Sequence, residues 1–412
     1  MSSLSVWLVN QFAIPPTGAG GTRHYTLARE MKSDDVHVVL VASSVNHLTQ
    51  ARRVTDNCPV VEVIDDVKFA WLPTPPSGRG TAGRLQSMGG FAINVWRERW
   101  AAGLEAPDVV VGSTPSPLAA YAALRLARRH RVPFVLEVRD IWPQSLLDLG
   151  NLRPTHPGVR VLSWIERQLY RHADRIITLL PAAAGHIDAV VPGAGEKVVW
   201  VPNGVDTRLA LEETTLEPDS PLLLMYTGAH GVANDLDTVL DAAILLEREI
   251  EAGDVCFRLV GDGPEKARLV QRVEAERIQG VKFDDPVPKS AVHALLREAG
   301  GFLMVLADSP VFRWGVSPNK LFDYLLAARP VLFGVNTPVN PVAESSAGYS
   351  FASSDPSALA QAVRQLLTTD PAERAAMGAR GRAYVSARHD MTLLARRFAD
   401  VLREVVPTDD RP

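Results

Sequence analysis

The sequence predicts an α/β protein built from two Rossmann-like domains, each a parallel sheet covered by helices on both faces. Short β-branched strands alternate with amphipathic helices in the first half, and the same plan repeats in the second half. An acidic stretch without a long apolar period separates the halves. The 412 residues give room for two or three domains.

The predicted elements define where each domain begins and ends. In the first half, strands are predicted at residues 6–10, 37–43, 108–112, 134–138, 175–180 and 197–201, with helices at 22–32, 118–130 and 161–173. In the second half, strands are predicted at 222–228, 256–263, 281–283, 302–306 and 331–335. The acidic stretch at 206–221 suits a linker. We therefore predict an N-terminal domain at 1–204 and a C-terminal domain at 205–388.

Composition and charge limit the classes of function. A net charge of −4 and a pI near 6.2 argue against a nucleic-acid-binding protein, which usually has a basic excess. Cys58 and Cys256 lie too far apart in sequence for a disulfide framework or a metal motif. The apolar N-terminus lacks a basic leader, and no apolar run reaches the roughly 20 residues of a spanning helix. We predict a cytoplasmic protein, with peripheral contact at the inner face of the membrane as an alternative.

Residues 317–335, SPNKLFDYLLAARPVLFGV, predict an anion site at the start of a helix. Ser317 is a good N-cap, and Pro318 suits the first helical position. Asn319 and Lys320 then fall in the first turn, where free amides and the helix dipole favour a phosphate. Asp323 shares a helix face with Lys320 and could accept hydrogen bonds from ribose hydroxyls. The alternative is an ordinary exposed ion pair between these two side chains.

Several segments, taken in order, resemble the family-four retaining glycosyltransferases of the GT-B fold, especially the WbuB-like bacterial branch of the L-fucosamine transferase type. The resemblance covers nearly the whole chain, from the first strand to about Ala362. The segments are GAGGTRHYTLAREM (18–31), SSVNH (43–47), EVRDIWPQS (137–145), VPNGVD (201–206), YTGAHGVANDLDTVLDAA (226–243), LVGDGPEKARL (259–269) and GVSPNKLFDYLLAARPVLFGV (315–335).

The resemblance implies that a sugar nucleotide binds in a cleft between the domains, chiefly on the C-terminal one. Asn319 and Lys320 would contact the diphosphate, Asp323 the ribose, and Arg313 would add phosphate charge. The loop VKFDDPVP, with Val287, resembles the base-contacting loop, and the family favours uracil. The implied donor is thus a nucleoside diphosphate sugar, with a UDP-sugar favoured, and the resemblance implies no cofactor.

Two departures from the family pattern affect the same site. The usual pair of glutamates, eight positions apart, becomes Gly315 and Asp323, and YTGAHGVAN lacks the Arg or Lys that normally follows the first strand of the C-terminal domain. A diphosphate leaving group gains negative charge, which fixed cations and amides stabilise. Lys320, Arg313 and the backbone at Gly228 and Gly231 could do this without a metal.

Three further interpretations concern the C-terminal domain. His230 could donate a hydrogen bond to the donor, although a core or surface histidine is equally compatible. Arg268 or Lys266, after the glycines of VGDGP, could assist the phosphates. Asp235 and Asp237 superficially have the spacing of paired metal-binding carboxylates, but they precede an apolar helical pattern, so helix capping explains the acidic start. We predict no metal.

Two loops of the N-terminal domain are candidates for acceptor or phosphate binding. Gly18, Gly20 and Gly21 allow close backbone approach, and Arg23 and His24 begin the next helix. The alternative is an ordinary flexible loop. In EVRDIWP, Arg139 occupies the position where the family often has histidine. Asp140 is predicted to orient or deprotonate the acceptor hydroxyl, with a turn or helix cap as the alternative. The predicted catalytic residues are therefore Arg139, Asp140 and Lys320.

Two segments predict surface contacts. Residues 77–100 mix arginines with Phe91, Trp96 and Trp100, which suits an anionic bilayer or, alternatively, the packing of an acceptor loop. The amphipathic pattern within 389–412 predicts a helix that, by the resemblance, returns to the N-terminal domain. A homodimer through this helix is the alternative.

The combined hypothesis is a metal-independent retaining glycosyltransferase that moves a hexose or amino sugar onto a hydroxyl acceptor. The acceptor would be a saccharide, a lipid-linked saccharide or a small natural-product intermediate. A nucleotide-sugar epimerase of the same fold and a non-catalytic nucleotide-sugar-binding protein are the alternatives, since fold alone does not fix the reaction.

Overall fold

The computed structural model describes residues 3–18, 20–54, 58–76, 81–114, 116–149, 153, 155–210 and 221–407. Most of the predicted linker, the first part of the basic segment at 77–80, and residues 408–412 lie outside the described residues. The chain forms two compact units. Unit 1 comprises Met1–Asn203, Trp314–Val316 and Met391–Pro412, and unit 2 comprises Gly204–Arg313 and Ser317–Asp390.

Unit 1 contains an eight-stranded sheet with strand order β3-β4-β2-β1-β5-β6-β7-β8. Its strands are β1 Leu4–Val9, β2 Val36–Ser43, β3 Val60–Ile64, β4 Val67–Leu72, β5 Val109–Ser113, β6 Phe134–Val138, β7 Arg175–Thr178 and β8 Val198–Trp200. The helices between them are α1 Arg23–Met31, α2 Thr81–Arg97, α3 Pro117–His130, α4 Gln144–Leu149, α5 Pro157–His172 and α6 Ala183–Val190.

Unit 2 contains a six-stranded, fully parallel sheet with strand order β11-β10-β9-β12-β13-β14. Its strands are β9 Leu222–Thr227, β10 Val255–Val260, β11 Val281–Asp284, β12 Gly301–Val305, β13 Val331–Gly334 and β14 Gly348–Phe351. Its helices are α7 Leu236–Leu245, α8 Glu247–Glu251, α9 Lys266–Glu276, α10 Lys289–Leu296, α11 Asn319–Leu326, α12 Pro341–Ser345, α13 Pro356–Thr368 and α14 Pro371–Arg388. The predicted class, two α/β units with parallel sheets, is confirmed.

The last helix, α15 Met391–Val405, belongs to unit 1 and packs against α1. Its inner face, with Leu394, Phe398 and Leu402, joins the core on one side of the sheet. Alternation along β1 explains why both faces are filled, because Val6 and Leu8 point to this core and Trp7 to the opposite one.

The hairpin formed by β3 and β4 was not predicted from the sequence. These two strands pair antiparallel at the edge of an otherwise parallel sheet, and Asp65 and Asp66 make the turn with φ of 44° and 67°. A two-residue turn with both residues in the left-handed region is the favoured hairpin connection. Two acidic residues between β-branched runs were the available signal.

Candidate functional site

The start of α11 lies one residue later than the sequence predicted. Pro318 is the N-cap, with extended φ and ψ of −75° and 127°, and the helix begins at Asn319. Ser317 therefore precedes the cap instead of forming it. Asn319 and Lys320 still occupy the first turn, where backbone amides lack acceptors within the helix.

Lys320 is a cation held among neutral groups. Its Nζ donates to the Tyr226 hydroxyl at 2.7 Å and to Asn234 Oδ1 at 2.8 Å, and lies 4.0 Å from the centroid of the Tyr226 ring. Within the described ranges, no carboxylate comes within ion-pairing distance of Lys320. Burial lowers its pKa to about 7. An ammonium without a counter-ion in such surroundings is suited to receive an anion.

Two glycine loops bring the backbone close to Lys320. They follow β9 and β10, which are neighbouring parallel strands, so both loops lie at the same edge of the sheet. Gly228 has φ of +141°, and a Cβ there would stand 3.6 Å from Lys320 Nζ. Gly261 has φ of +151°, and its Cβ would meet the Gly228 carbonyl oxygen at 1.8 Å. Only glycine allows these two backbones to stack next to the cation.

His230 is fully buried between the same two loops. Its backbone amide donates to Asp262 O at 2.8 Å, and its carbonyl accepts from the Glu265 amide at 3.0 Å. In the part of the chain that the structure describes, neither ring nitrogen has a hydrogen-bond partner. Burial is the main cause that lowers the pKa of His230 to about 4, and the positive charge of Lys266 is the second. The ring is therefore neutral at neutral pH. The core interpretation therefore fits His230 better than direct donor contact. Gly231 forms the following turn with Asn234.

Asp323 lies one turn further along α11. One prediction was that it forms an ion pair with Lys320, and the structure differs from that prediction. His293 Nε2 lies 3.9 Å from Asp323 Oδ1, and no ion pair with Lys320 occurs among the described residues. The predicted alternative of an ordinary Lys320–Asp323 ion pair is thus wrong. Burial raises the pKa of Asp323 to about 7, while Lys289 lowers it. Near neutral pH, this carboxyl group can therefore donate a hydrogen bond when protonated and accept one when ionised.

Arg268 has carboxylate partners within unit 2. Its guanidinium is occupied by Asp237 and by Glu265, the latter at 2.8 Å from Nε. Asp237 also pairs with Arg272, at 2.7 Å from Nη1. The structure thus gives Arg268 two carboxylate partners, and the predicted contact of Arg268 with the phosphates stays a prediction.

The remaining predicted residues of unit 2 lie at its surface. Arg313 is exposed and donates from Nη1 to Pro310 O at 3.0 Å. Val287 is exposed just before α10. Asp235 occupies the N-cap position of α7 without a side-chain bond to a helix amide, and its carboxylate accepts from the hydroxyls of Thr238 and Ser354, each at 2.7 Å. Asp237 is engaged by Arg268 and Arg272, so both carboxylates of this acidic pair have partners within unit 2.

A buried ionic network in unit 1 contains the predicted residues Arg23 and His24. Both side chains contact Glu137, which is 0% exposed: Arg23 Nε lies 3.0 Å from Oε1, and His24 Nε2 lies 2.6 Å from Oε2. Arg23 also donates to the carbonyls of Pro202 and Val201, at 2.5 and 2.8 Å. These partners engage all three guanidinium nitrogens, and both side chains are buried, so the structure gives Arg23 and His24 internal partners in place of the expected anion contact.

Glu137, Asn10 and Ser113 complete this network and were missed in the sequence. Ser113 Oγ donates to Glu137 Oε2 at 2.6 Å, and Asn10 Nδ2 lies 3.1 Å from both Ser113 Oγ and His24 Nδ1. Burial alone would raise the pKa of Glu137, but His24 and Arg23 hold it well below its ordinary value. The available signal was a glutamate inside the apolar strand FVLEV.

The other candidates of unit 1 lie at loops that follow strands. Gly20 has φ of +127°, and Gly20 and Gly21 are exposed, whereas Gly18 is half-buried. The Arg139 amide donates to Thr114 Oγ1 at 2.9 Å, and its buried Nε has no acceptor among the described residues. Asp140 follows it at the surface. Arg139 and Asp140 thus stand at the carboxyl end of β6, directly after Glu137.

Gly315 explains one departure from the family pattern. It belongs to unit 1 and has φ of +108°, and a Cβ there would lie 2.3 Å from Pro181 Cδ. The neighbouring Trp314 carbonyl accepts from the Ala182 amide at 3.0 Å. A glutamate cannot replace Gly315 without displacing this segment from Pro181.

The described residues contain neither a candidate metal site nor a candidate membrane span. No group of three or more His, Cys, Asp or Glu side chains is placed to hold a metal ion there. In the same residues, no helix is both long and apolar enough to cross a membrane. The two cysteines are free thiols.

Comparison with known proteins yields two family matches and one curated relative. Residues 18–204 match the glycosyl transferase 4-like domain, and residues 221–369 match the glycosyl transferases group 1 family. The chain is 26% identical over 272 residues to the putative colanic acid biosynthesis glycosyl transferase WcaI of Escherichia coli K12. That match covers 62% of this chain and 63% of the relative's length.

Solved structures share the fold at low sequence identity. Sucrose-phosphate synthase from Thermosynechococcus elongatus has a TM-score of 0.77 at 16% identity, over 98% of this chain and 100% of that chain. Anabaena HepE in complex with UDP and glucose has a TM-score of 0.67 at 15% identity, over 97% and 100%. An Escherichia coli trehalose-6-phosphate structure bound with UDP-2-fluoro glucose has a TM-score of 0.72 at 12% identity, over 98% and 100%.

These similarities agree with the site geometry described above. The two family matches lie on the two units in chain order, and together they span most of the chain. The glycine loops and Lys320 lie at the carboxyl ends of the unit 2 strands, where ligands of such sheets bind. The chain belongs to the GT-B superfamily of glycosyltransferases, with a 4-like domain followed by a group 1 domain.

Proposed function

We propose that this protein transfers a hexose or amino sugar from a nucleoside diphosphate sugar, with UDP as the nucleotide, to a hydroxyl acceptor. Transfer proceeds with retention of anomeric configuration and without a metal ion. The acceptor class is a saccharide of cell-surface polysaccharide biosynthesis, lipid-linked or free, or a small natural-product intermediate. The WbuB-like branch remains part of this proposal.

The observation that carries the proposal is the environment of Lys320. A half-buried ammonium without a carboxylate partner gains most from a ligand that brings negative charge, because partial desolvation disfavours its isolated charge. The N–H groups in the first turn of α11 add partial positive charge at the same place. A diphosphate leaving group develops charge as its bond to the sugar breaks, and these groups stabilise that charge.

Other findings support the choice of donor and acceptor chemistry. Asp323, three residues after Lys320, would accept hydrogen bonds from ribose hydroxyls in its ionised form. UDP and UDP-2-fluoro glucose are bound by two proteins of the same fold. The curated relative is named for colanic acid biosynthesis, which supports a polysaccharide acceptor. In unit 1, Asp140 is the candidate that orients the acceptor hydroxyl.

The test is a donor screen followed by one substitution. Nucleotide release is measured with a panel of UDP, GDP and dTDP sugars, and products are identified by mass spectrometry. Lys320→Ala should lower kcat/KM for the best donor by about 100-fold to 1000-fold, the usual effect of losing one preorganised charge-stabilising group. Lys282→Ala is the matched control, because Lys282 is an exposed lysine of the same unit.

Three results would contradict the proposal. Full turnover in Lys320→Ala would remove the assigned role of this side chain. Conversion of a UDP-sugar without any acceptor would indicate the epimerase. Tight donor binding without turnover across an acceptor panel would indicate a binding protein.

A further inference from the structure

The outer surface of α2, α3 and α5 in unit 1 carries large apolar side chains that the core does not use. The inner side of α2 is anchored by Phe91 and Val95, which are fully buried. On its outer side, Trp96 is 52% exposed, and Leu85 and Ile93 are also exposed. On α5, Trp164 is 51% exposed and Val161 is exposed. We call these residues and the exposed arginines of the three helices the α2–α3–α5 surface.

Contacts through α3 connect the two exposed tryptophans. The helix packs against both α2 and α5. The Tyr121 ring lies 5.5 Å from the Trp164 ring, and the Arg129 guanidinium lies 5.6 Å from the Trp96 ring. Arg125 and Arg128 are exposed between these positions, and a spacing of three and four residues places them on one helical stripe. The tryptophans therefore flank a row of arginines.

The charge of this surface is opposite to that of the whole protein. The chain has a net charge of −4. Helices α2 and α3 contain no acidic residue, and the one in α5, Glu166, is buried. The arginines of the three helices are Arg84, Arg97, Arg125, Arg128, Arg129, Arg160, Arg167 and Arg171. At the margin, Glu98 pairs with Arg129 and His130.

We propose that the α2–α3–α5 surface docks on an anionic lipid bilayer. Tryptophan is the side chain that favours the headgroup region, where its ring is buried and its N–H stays hydrated. Arginines beside it attract acidic headgroups through a surface potential that extends about one Debye length. Exposed aromatic and aliphatic residues within a basic surface are typical of interfacial binding and need no spanning helix. A lipid-linked acceptor would be presented at this surface, but the docking does not depend on the identity of that acceptor.

The experiment measures co-sedimentation of the whole chain with vesicles. One set contains phosphatidylglycerol and phosphatidylcholine, and the other phosphatidylcholine alone. The protein should partition to the anionic vesicles and be released by salt. Arg125→Glu with Arg128→Glu and Arg160→Glu should reduce partitioning at least about tenfold. Trp96→Gln with Trp164→Gln should reduce it severalfold at low salt.

Matched controls lie on unit 2. Arg248→Glu changes an exposed arginine, and Ile244→Gln with Val232→Gln changes exposed aliphatic residues. These variants should keep wild-type partitioning. The arginine and tryptophan variants alter different exposed side chains, so a folding defect in one, detected by thermal unfolding, leaves the other as a test.

Several outcomes would overturn the docking proposal: no binding to anionic vesicles, equal binding to both vesicle types, or unchanged binding in both variants. A dimer in the absence of vesicles, lost in the tryptophan variant, would assign the surface to a second copy of the chain instead. Because no sugar donor is used, each of these results leaves the proposed transfer reaction standing.

Discussion

Two ionisable residues of α11 have pKa values shifted in opposite directions by the same cause. Burial disfavours both charged forms, so the pKa of the Lys320 ammonium falls to about 7 and that of the Asp323 carboxyl rises to about 7. Lys320 is charged below that pH and Asp323 above it. If Lys320 binds diphosphate and Asp323 binds ribose, both forms are needed at once.

We therefore predict a bell-shaped pH dependence of donor affinity with its maximum near pH 7. Affinity should fall toward acid pH as Asp323 takes up a proton, and toward alkaline pH as Lys320 loses one. Calorimetric Kd values for the UDP-sugar selected by the screen, from about pH 5.5 to about pH 8.5, would show this. A nucleoside diphosphate sugar is the suitable probe, because free UDP has a terminal phosphate that titrates in the same range.

Two substitutions assign the two limbs of that curve. Asp323→Asn should weaken binding and abolish the acid limb, since the amide does not titrate. Lys320→Arg should keep affinity up to the highest pH, since a guanidinium remains charged. An unchanged acid limb in Asp323→Asn would rule out this carboxyl as its source.

At the residue scale, the sequence predicted charge and spacing better than it predicted side-chain partners. Lys320 and its first-turn position could be read from SPNK, because caps and dipoles are local. The partners of Arg23 and Arg268 could not be predicted from the sequence. Glu137 is more than a hundred positions from Arg23, and Asp237 is distant from Arg268, so only the fold reveals that these guanidinium groups are occupied.

At the element scale, the Glu137 network joins the start of α1 to strands β5 and β6. Arg23 and His24 come from α1, Ser113 from β5 and Glu137 from β6. Glu137 precedes Arg139 and Asp140 by two and three residues, so the network fixes the strand end from which both predicted catalytic residues project. Its charges are buried, and removing one leaves another unpaired.

Glu137→Gln should lower the free energy of unfolding of unit 1 by about 3 to 5 kcal/mol, because Arg23 would lose its buried counter-ion. Urea denaturation followed by tryptophan fluorescence measures this unit alone, since all eight tryptophans of the chain lie in it. Glu62→Gln is the matched control. Glu62 also pairs with an arginine of unit 1, Arg53 at 2.7 Å, but this exposed pair should contribute at most about 1 kcal/mol.

The pH dependence of this stability has a definite sign. The folded-state pKa of Glu137 is lowered, so its contribution is fully present above the unfolded value of about 4.5 and is lost as the pH falls below it. The wild type should therefore lose more unfolding free energy than Glu137→Gln between about pH 5 and about pH 3. Parallel curves for the two proteins would contradict an ionised Glu137.

Elements were predictable where their signal is local and periodic. The apolar strands of the two parallel sheets, such as β6 and β13, appear as continuous runs because both faces are buried. The edge hairpin of β3 and β4 was missed because β3 is largely exposed and its sequence is mixed. Strand β14 forms one edge of the unit 2 sheet. It contains only four residues, none of them fully buried, and was therefore also missed.

At the scale of the whole molecule, the last helix of unit 1 comes after all of unit 2 in the sequence. Residues up to Asn203 and the helix α15 belong to unit 1, and Gly204 to Asp390 lie between them apart from three residues. Without α15, the apolar residues of α1 and of the sheet that it covers would meet water. The folding of unit 1 therefore depends on a segment almost two hundred residues away in sequence.

Phe398→Ala should accordingly destabilise unit 1 and spare unit 2. Phe398 is 0% exposed in the core beneath α15, and truncating a buried phenylalanine costs about 3 to 5 kcal/mol. Leu393→Ala, on the same helix but 45% exposed, should cost below about 1 kcal/mol. Tryptophan fluorescence in urea reports unit 1, and the reactivity of the partly buried Cys256 thiol reports unit 2. The fluorescence midpoint should fall in Phe398→Ala while the Cys256 midpoint stays within error of the wild type. An equal fall of both midpoints would show that the two units unfold as one, and that α15 stabilises the whole chain.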